Sequence, residues 1–322
     1  MKTWIDFDAA PVFAIPLTDA VGAVTVCEGM LIEGPQGWGE FSPPASCDDR
    51  QAGRWLTAAI EVGTVGWPDP LRGRVPVAVT IPTVSPDRAR QMVTDAGCRT
   101  AAVQVGEGPL AADLARLEAV RDALGPDAAI RCDANGYWDV DTAVTAIAAL
   151  DRAAGGLEFV EQPCRTLDEV ATVRRRVDVP IAVDQSLRDA ADPRGLALAE
   201  FADLAVLTVG ALGGVRRSMR VAETCGIPCL VAAEAESSIG LSGGLALAGV
   251  LADVGFASTL GGARLLSGDV VSTGRSLLTR DGYLPVAPMP PAPDPVLVQR
   301  FSATPERVDW WRERLNAAQE YL

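Results

Sequence analysis

Residues 129–135 read AIRCDAN, a short run that opens on Ala129 and Ile130, ends on the acid Asp133 and breaks into a turn. The same shape returns at 157–163 (LEFVEQP), ending on Glu161, and at 180–186 (PIAVDQS), ending on Asp184. A short apolar run bounded by turn residues reads as a buried strand. Three of them in succession, each delivering one carboxylate at its C-terminal end, decide how the rest of the chain is read.

Working outward, runs of the same kind precede these at 75–82 (VPVAVTIP) and 101–106 (AAVQVG). Others follow at 204–210 (LAVLTVG), 228–236 (PCLVAAEAE) and 255–262 (GFASTLGG). Their starts lie roughly 22 to 29 residues apart, the length of one strand, one helix and two loops. Helical stretches fill the gaps. PLAADLARLEAVRDALG (109–125) carries apolar residues at helical spacing, and in TLDEVATVRRRV (166–177) Thr166 precedes an acidic first turn, a usual helix start. Near-continuously apolar strands belong to a parallel sheet covered on both faces. Eight such units predict an α/β fold, a (β/α) barrel over residues 75–265.

The first 74 residues break this rhythm. AVTVCEGMLIEGPQGWGEFSP (23–43) reads as two antiparallel strands about a turn at Gly34–Gly37, and DRQAGRWLTAAIEVG (49–63) as a helix. We therefore expect an α+β domain over residues 1–74. The proline-rich stretch 285–295 leaves the barrel, and residues 266–322 are expected to return to the N-terminal domain through a tryptophan-bearing helix.

The totals narrow the function. The 322 residues are 48% hydrophobic and 22% charged, with a net charge of −14. That charge argues against nucleic acid, which demands a basic face, and against anionic membranes. No uninterrupted apolar run is long enough to span a bilayer, and MKTWIDFDAAPVF does not read as a secretory leader, so a cytoplasmic protein acting on a small molecule is expected. Seven scattered cysteines read as reduced, buried thiols. There is no histidine, and the only lysine is Lys2. Acid–base work then falls to carboxylates, cysteine or tyrosine.

Barrel chemistry sits at the C-terminal ends of strands. Asp133, Glu161 and Asp184 end successive strands, and Asn135 lies two residues beyond the first. Three neighbouring carboxylates repel one another, and a hard cation such as Mg²⁺ resolves that repulsion. The competing reading is that these acids pair with loop arginines such as Arg131 or cap helices.

The motifs RCDANGYWDVDTA (131–143), VEQP (160–163) and VDQS (183–186), in this order on three successive strands, resemble the enolase superfamily. WGEFSP (38–43), LGGVRRSMRVAE (212–223) and AEAESSIGLSGG (233–244) resemble its o-succinylbenzoate synthases. The resemblance implies a (β/α)7β TIM-like barrel under an N-terminal capping domain. It also implies Mg²⁺ on Asp133, Glu161 and Asp184, and a reaction that begins with proton loss beside a metal-bound carboxylate. The pocket then includes Asn135, Gln185, Glu236, Ser237 and Ser238 as substrate-binding positions.

Departures from the family pattern cluster at the pocket. Where synthases carry Lys-x-Lys on strand two, this chain has Ala102-Val103-Gln104, and Thr208 stands at a third lysine position. Gln185 replaces a glutamate, and the capping loop TDAVGA (18–23) bears no arginine. Glu234 is an added acid, two residues before Glu236, and is a candidate acid or base. Pairing with an arginine from a neighbouring loop is its competing reading. Tyr137 and Cys164 are expected to pack. These losses predict little o-succinylbenzoate synthase activity and point to a lysine-independent cyclisation, elimination or rearrangement in a specialised pathway. The alternatives are an authentic synthase with rearranged acid–base groups, or a non-catalytic relative. Catalysis by pocket shape, with the metal dispensable, also stays open.

Overall fold

A computed structural model describes residues 5–252 and 255–322. The N-terminal sheet is antiparallel, in the order β1 (Val12–Val21), β2 (Val24–Gly34), β3 (Gly37–Phe41). The two expected strands are β2 and β3, and β1 adds a third. Helix α1 (Asp49–Thr64) starts at a capping box in which Asp48 and Gln51 satisfy each other's backbone N–H groups. It lies so close to β3 that a Cβ on Gly39 would meet the Ala59 carbonyl oxygen at 2.0 Å. Glycine is required there by contact with backbone, which cannot move aside.

The chain then enters β4 (Arg74–Pro76) and the alternation of strand and helix. The order is β5 (Val79–Ile81), α2 (Pro86–Ala96), β6 (Thr100–Gln104), α3 (Leu110–Leu124), β7 (Ala129–Asp133) and α4 (Val140–Ala154). There follow β8 (Val160–Glu161), α5 (Leu167–Arg174), β9 (Ile181–Val183), α6 (Gln185–Arg188), β10 (Leu204–Thr208) and α7 (Val209–Leu212). The run closes with α8 (Val215–Thr224), β11 (Cys229–Ala232) and α9 (Ser238–Val250). Strands β5 to β11 form one parallel seven-stranded sheet in sequence order. The eighth expected strand contributes bridges only, Val77 with Ser258 and Ala232 with Thr259. Those bridges touch both ends of the sheet and close it, so the architecture is the expected (β/α)7β barrel.

Buried valine, isoleucine, leucine and alanine from the strands and the inner helix faces form one continuous core. Arg131 belongs to this interior and not to a loop. It lies on β7, 1% exposed, donates to the Ala257 carbonyl at 2.6 Å, reaches Glu158 at 3.6 Å and stacks over the Phe159 ring. Side chains alternate along a strand, so a residue two before Asp133 shares its inward face.

After β12 (Tyr283–Pro285), which pairs with β4, come α10 (Pro295–Arg300) and α11 (Pro305–Gln319). Trp311, Leu315 and Ala318 of α11 pack with Phe41, Ala52, Trp55 and Leu56, and the Phe41 and Trp311 rings meet edge to face at 5.8 Å. The C-terminal segment thus lies against the N-terminal sheet. Among the described residues no helix is long and apolar enough to cross a membrane.

Candidate active site

The C-terminal ends of the barrel strands open into a cavity of about 540 Å³, roofed by the β1–β2 turn (Val21, Gly22, Val24) and by Gln51 and Trp55 of α1. The roof is fastened. Arg88 of α2 holds Asp19 of β1 through both its Nε and Nη2, and the Thr18 hydroxyl donates to the Leu265 carbonyl at 3.2 Å. The turn that lacks arginines therefore still spans from the sheet to the barrel.

Parallel register brings the three strand-end carboxylates together. Asp133 is the cross-strand partner of Glu161, and Glu161 is that of Ala182, two residues before Asp184. Burial pushes all three carboxyls up from their ordinary range, Asp133 to about 6 and Asp184 to about 7, and neighbouring acids add to the shift for Glu161 and Asp184. The Asn135 backbone N–H donates to Asp133 at 2.9 Å. One oxygen of Asp184, Oδ1, is buried without a hydrogen-bond partner.

The other Asp184 oxygen is taken by Arg188. From one turn further along α6, its Nη2 donates to Asp184 Oδ2 at 2.6 Å while its Nη1 donates to Glu234 Oε1. The guanidinium is 18% exposed and bridges two carboxylates from different strands. Gln162 supports the same corner. Held at φ +40°, it accepts from the Asp184 and Ser186 backbone N–H groups and donates to the Cys164 carbonyl and Ser186 hydroxyl. Sequence reading passed over both residues. An arginine four positions after a carboxylate, at a spacing that faces it on a helix, was the available signal for Arg188.

Ala102, Gln104 and Thr208 line the cavity, as do Asn135 and Gln185, and the Gln185 amide donates to the Asn135 side chain. Glu234 also lines it, in the ion pair with Arg188 that its competing reading anticipated. Tyr137 reaches the cavity rim and is half-exposed, whereas Cys164 is fully buried. Glu236, Ser237 and Ser238 lie outside the cavity lining. Ser237 donates to Glu40 of β3 and caps α9, and Ser238 bonds Asp269 and the Leu277 backbone. Glu236 is buried beside Glu40, and burial pushes both carboxyls up, Glu40 to about 7. Ser237 thus joins barrel to capping sheet, and Ser238 joins the barrel to the C-terminal segment, because α9 begins at that seam. Six carboxylates line the cavity against one cation, Arg188, and Lys2 lies outside the described residues.

Oxygen-only donors and an uncommitted buried carboxylate oxygen fit a hard divalent cation in kind. Among the described residues, no three acidic or cysteine side chains converge tightly enough to hold an ion as they stand. Arg188 on Asp184 supplies a physical reason: the guanidinium already neutralises that corner.

A capped barrel with carboxylates on three successive strand ends defines a class. The chain matches the enolase C-terminal domain-like family over residues 85–291 and the enolase N-terminal domain-like family over residues 12–63, and it belongs to the enolase superfamily. It is 48% identical over 308 residues to the o-succinylbenzoate synthase of Thermobifida fusca (strain YX), covering 95% of this chain and 94% of that protein. Among solved structures, muconate lactonizing enzyme from Pseudomonas fluorescens superposes with a TM-score of 0.78 at 20% identity, covering 93% of this chain and 98% of that one. Dipeptide epimerase from Enterococcus faecalis V583, complexed with Mg and a dipeptide, superposes at 0.74 with 22% identity, covering 91% and 99%. The chain is an o-succinylbenzoate-synthase-like enzyme of this superfamily. The similarity favours the authentic-synthase alternative over a repurposed enzyme.

Proposed function

We propose that the chain is a lyase of the o-succinylbenzoate synthase type, which expels water from a small carboxylate substrate without the help of lysine. The observation that carries this is the set of three carboxylates at the ends of β7, β8 and β9, Glu161 and Asp184 buried and one oxygen of Asp184 uncommitted. Asp133, Glu161 and Asp184 would hold Mg²⁺, which supplies positive charge for the carboxylate of the substrate as negative charge develops beside it. The magnesium-holding neighbour of the same fold and the name of the 48%-identical relative support this reading.

With Ala102, Gln104 and Thr208 lining the cavity, none of the three offers a lysine amine to take the proton. Glu234 is the carboxylate best placed to do so. It lies two residues beyond the end of β11, reaches the cavity, and is oriented by Arg188. Asn135 and Gln185, bonded to each other at the rim, offer an amide pair to the substrate. Trp55 and the β1–β2 turn exclude water from above.

A second reading, a cyclisation, elimination or rearrangement of a less anionic molecule, is favoured by one observation: six carboxylates and one guanidinium line the cavity. Incubating the purified chain and Mg²⁺ with the hydrated precursor of o-succinylbenzoate separates the two. Product formation, slower than in lysine-bearing relatives by a factor on the order of 10²–10⁴, supports the first. No product from a chain that binds Mg²⁺ supports the second.

A further inference from the structure

At the opposite end of the barrel from the cavity, α8 ends at Cys225 and β11 begins at Cys229. The turn between them, Gly226-Ile227-Pro228, doubles back tightly, with Gly226 at φ +73°. It brings the two sulfurs to 3.2 Å. Both also approach the Ile227 carbonyl, at 3.3 and 3.5 Å. A disulfide holds its sulfurs at about 2.05 Å, so closure asks for a movement of only about 1 Å. Cys229 is half-buried, which gives a small oxidant a way in. Cys27, Cys98, Cys132 and Cys164 are buried, and Cys47 sits against Arg314.

We propose that Cys225 and Cys229 are an oxidative modification site, a dithiol that closes reversibly to a disulfide linking the end of α8 to the start of β11. With hydrogen peroxide as oxidant, one thiolate attacks a peroxide oxygen, giving a sulfenic acid and releasing water. The second thiol then attacks that sulfur and expels a second water. The two thiols lose two electrons and two protons, and the peroxide is reduced to two waters. The shared hydrogen bond prepares the first step, because a thiol donating to its neighbour favours a thiolate there and lowers the pKa of Cys225. Strand β11 leads to Glu234, so the link forms in the element that carries a cavity carboxylate.

The test uses the folded full-length chain. It is treated with graded hydrogen peroxide, alkylated while native and again after denaturation, and digested with trypsin without reduction. Cys225 and Cys229 fall in one tryptic peptide, 221–264, which holds no other cysteine. The expected result is that this peptide takes up no alkyl group and weighs two hydrogens less than the free dithiol at peroxide levels where the other five cysteines still alkylate, and that dithiothreitol restores its alkylation. In Cys229→Ser the peptide should instead stop at a sulfenic acid on Cys225 or alkylate normally. Full alkylation of the native peptide throughout, overoxidation to sulfonic acid without a disulfide stage, or linkage of Cys225 to a different peptide would each overturn the proposal.

Discussion

Arg188 donates to Asp184 at 2.6 Å from one helical turn further on, so the cation nearest the strand-end carboxylates is built into the chain. The same guanidinium also holds Glu234, so one cation serves both carboxylates. If it gives way to a metal at Asp184, Glu234 keeps it in place. Arg188→Met should therefore tighten Mg²⁺ binding by roughly tenfold, about 1.4 kcal/mol, measured by titration calorimetry. Weaker binding in this variant would mean that the arginine supports the metal site instead of competing for it.

Asp184→Asn removes both the uncommitted oxygen and the charge. Mg²⁺ binding at micromolar to low-millimolar levels in the native chain should vanish in the variant, with folding checked by circular dichroism. Equal binding by both chains would show that the ion sits elsewhere.

Glu234→Gln keeps the shape of the side chain and a hydrogen bond to Arg188, but cannot accept a proton. Turnover should fall by a factor on the order of 10²–10⁴ with little change in KM. Unchanged kcat would remove Glu234 as proton acceptor and leave it a positioning residue for Arg188.

Asp133, Asp184 and Glu40 have folded-state values raised to about 6, 7 and 7 from ordinary carboxylate values, and Glu236 and Glu161 shift the same way. Between the unfolded and folded values the native state binds more protons than the unfolded chain. Stability from these groups is thus fully present below about pH 4 and is lost as pH rises through 6 to 7. In the absence of metal, unfolding temperature should fall from about pH 5.5 to about pH 8, and added Mg²⁺ should raise it more at the higher pH, where protons no longer compete. A Mg²⁺ effect that is larger at pH 5.5 would contradict the assignment.

Ser237→Ala should separate structure from substrate. Ser237 is fully buried and donates to Glu40 across the seam between barrel and capping sheet. Its loss should cost about 1–3 kcal/mol in chemical denaturation and leave KM near native. A large KM change without loss of stability would make Ser237 a substrate-binding residue.

The sequence carried what is local and periodic. Strand spacing gave the barrel, the three motifs placed Asp133, Glu161 and Asp184 at the ends of successive strands, and residue identity alone denies a lysine base to Ala102, Gln104 and Thr208. The α1 start was written in Asp48 and Gln51. What it could not carry depends on partners far away in the chain. Strand β1 was missed because its pairing is completed by β2 on one side and the C-terminal segment near Phe301 and Ser302 on the other. Glu236, Ser237 and Ser238 are substrate-binding positions by resemblance, and the sequence does not say that Glu40 and Asp269 lie beside them. Arg131 reads as a surface residue until the barrel closes around it, and Cys225 and Cys229 read as two separate thiols until a left-handed glycine turns one onto the other. Composition and period fix which residues exist and which way a strand faces. Only the folded chain fixes what they meet, because contacts such as Arg188 with Glu234 and Ser237 with Glu40 join residues tens to hundreds of positions apart, and their distances are set by packing.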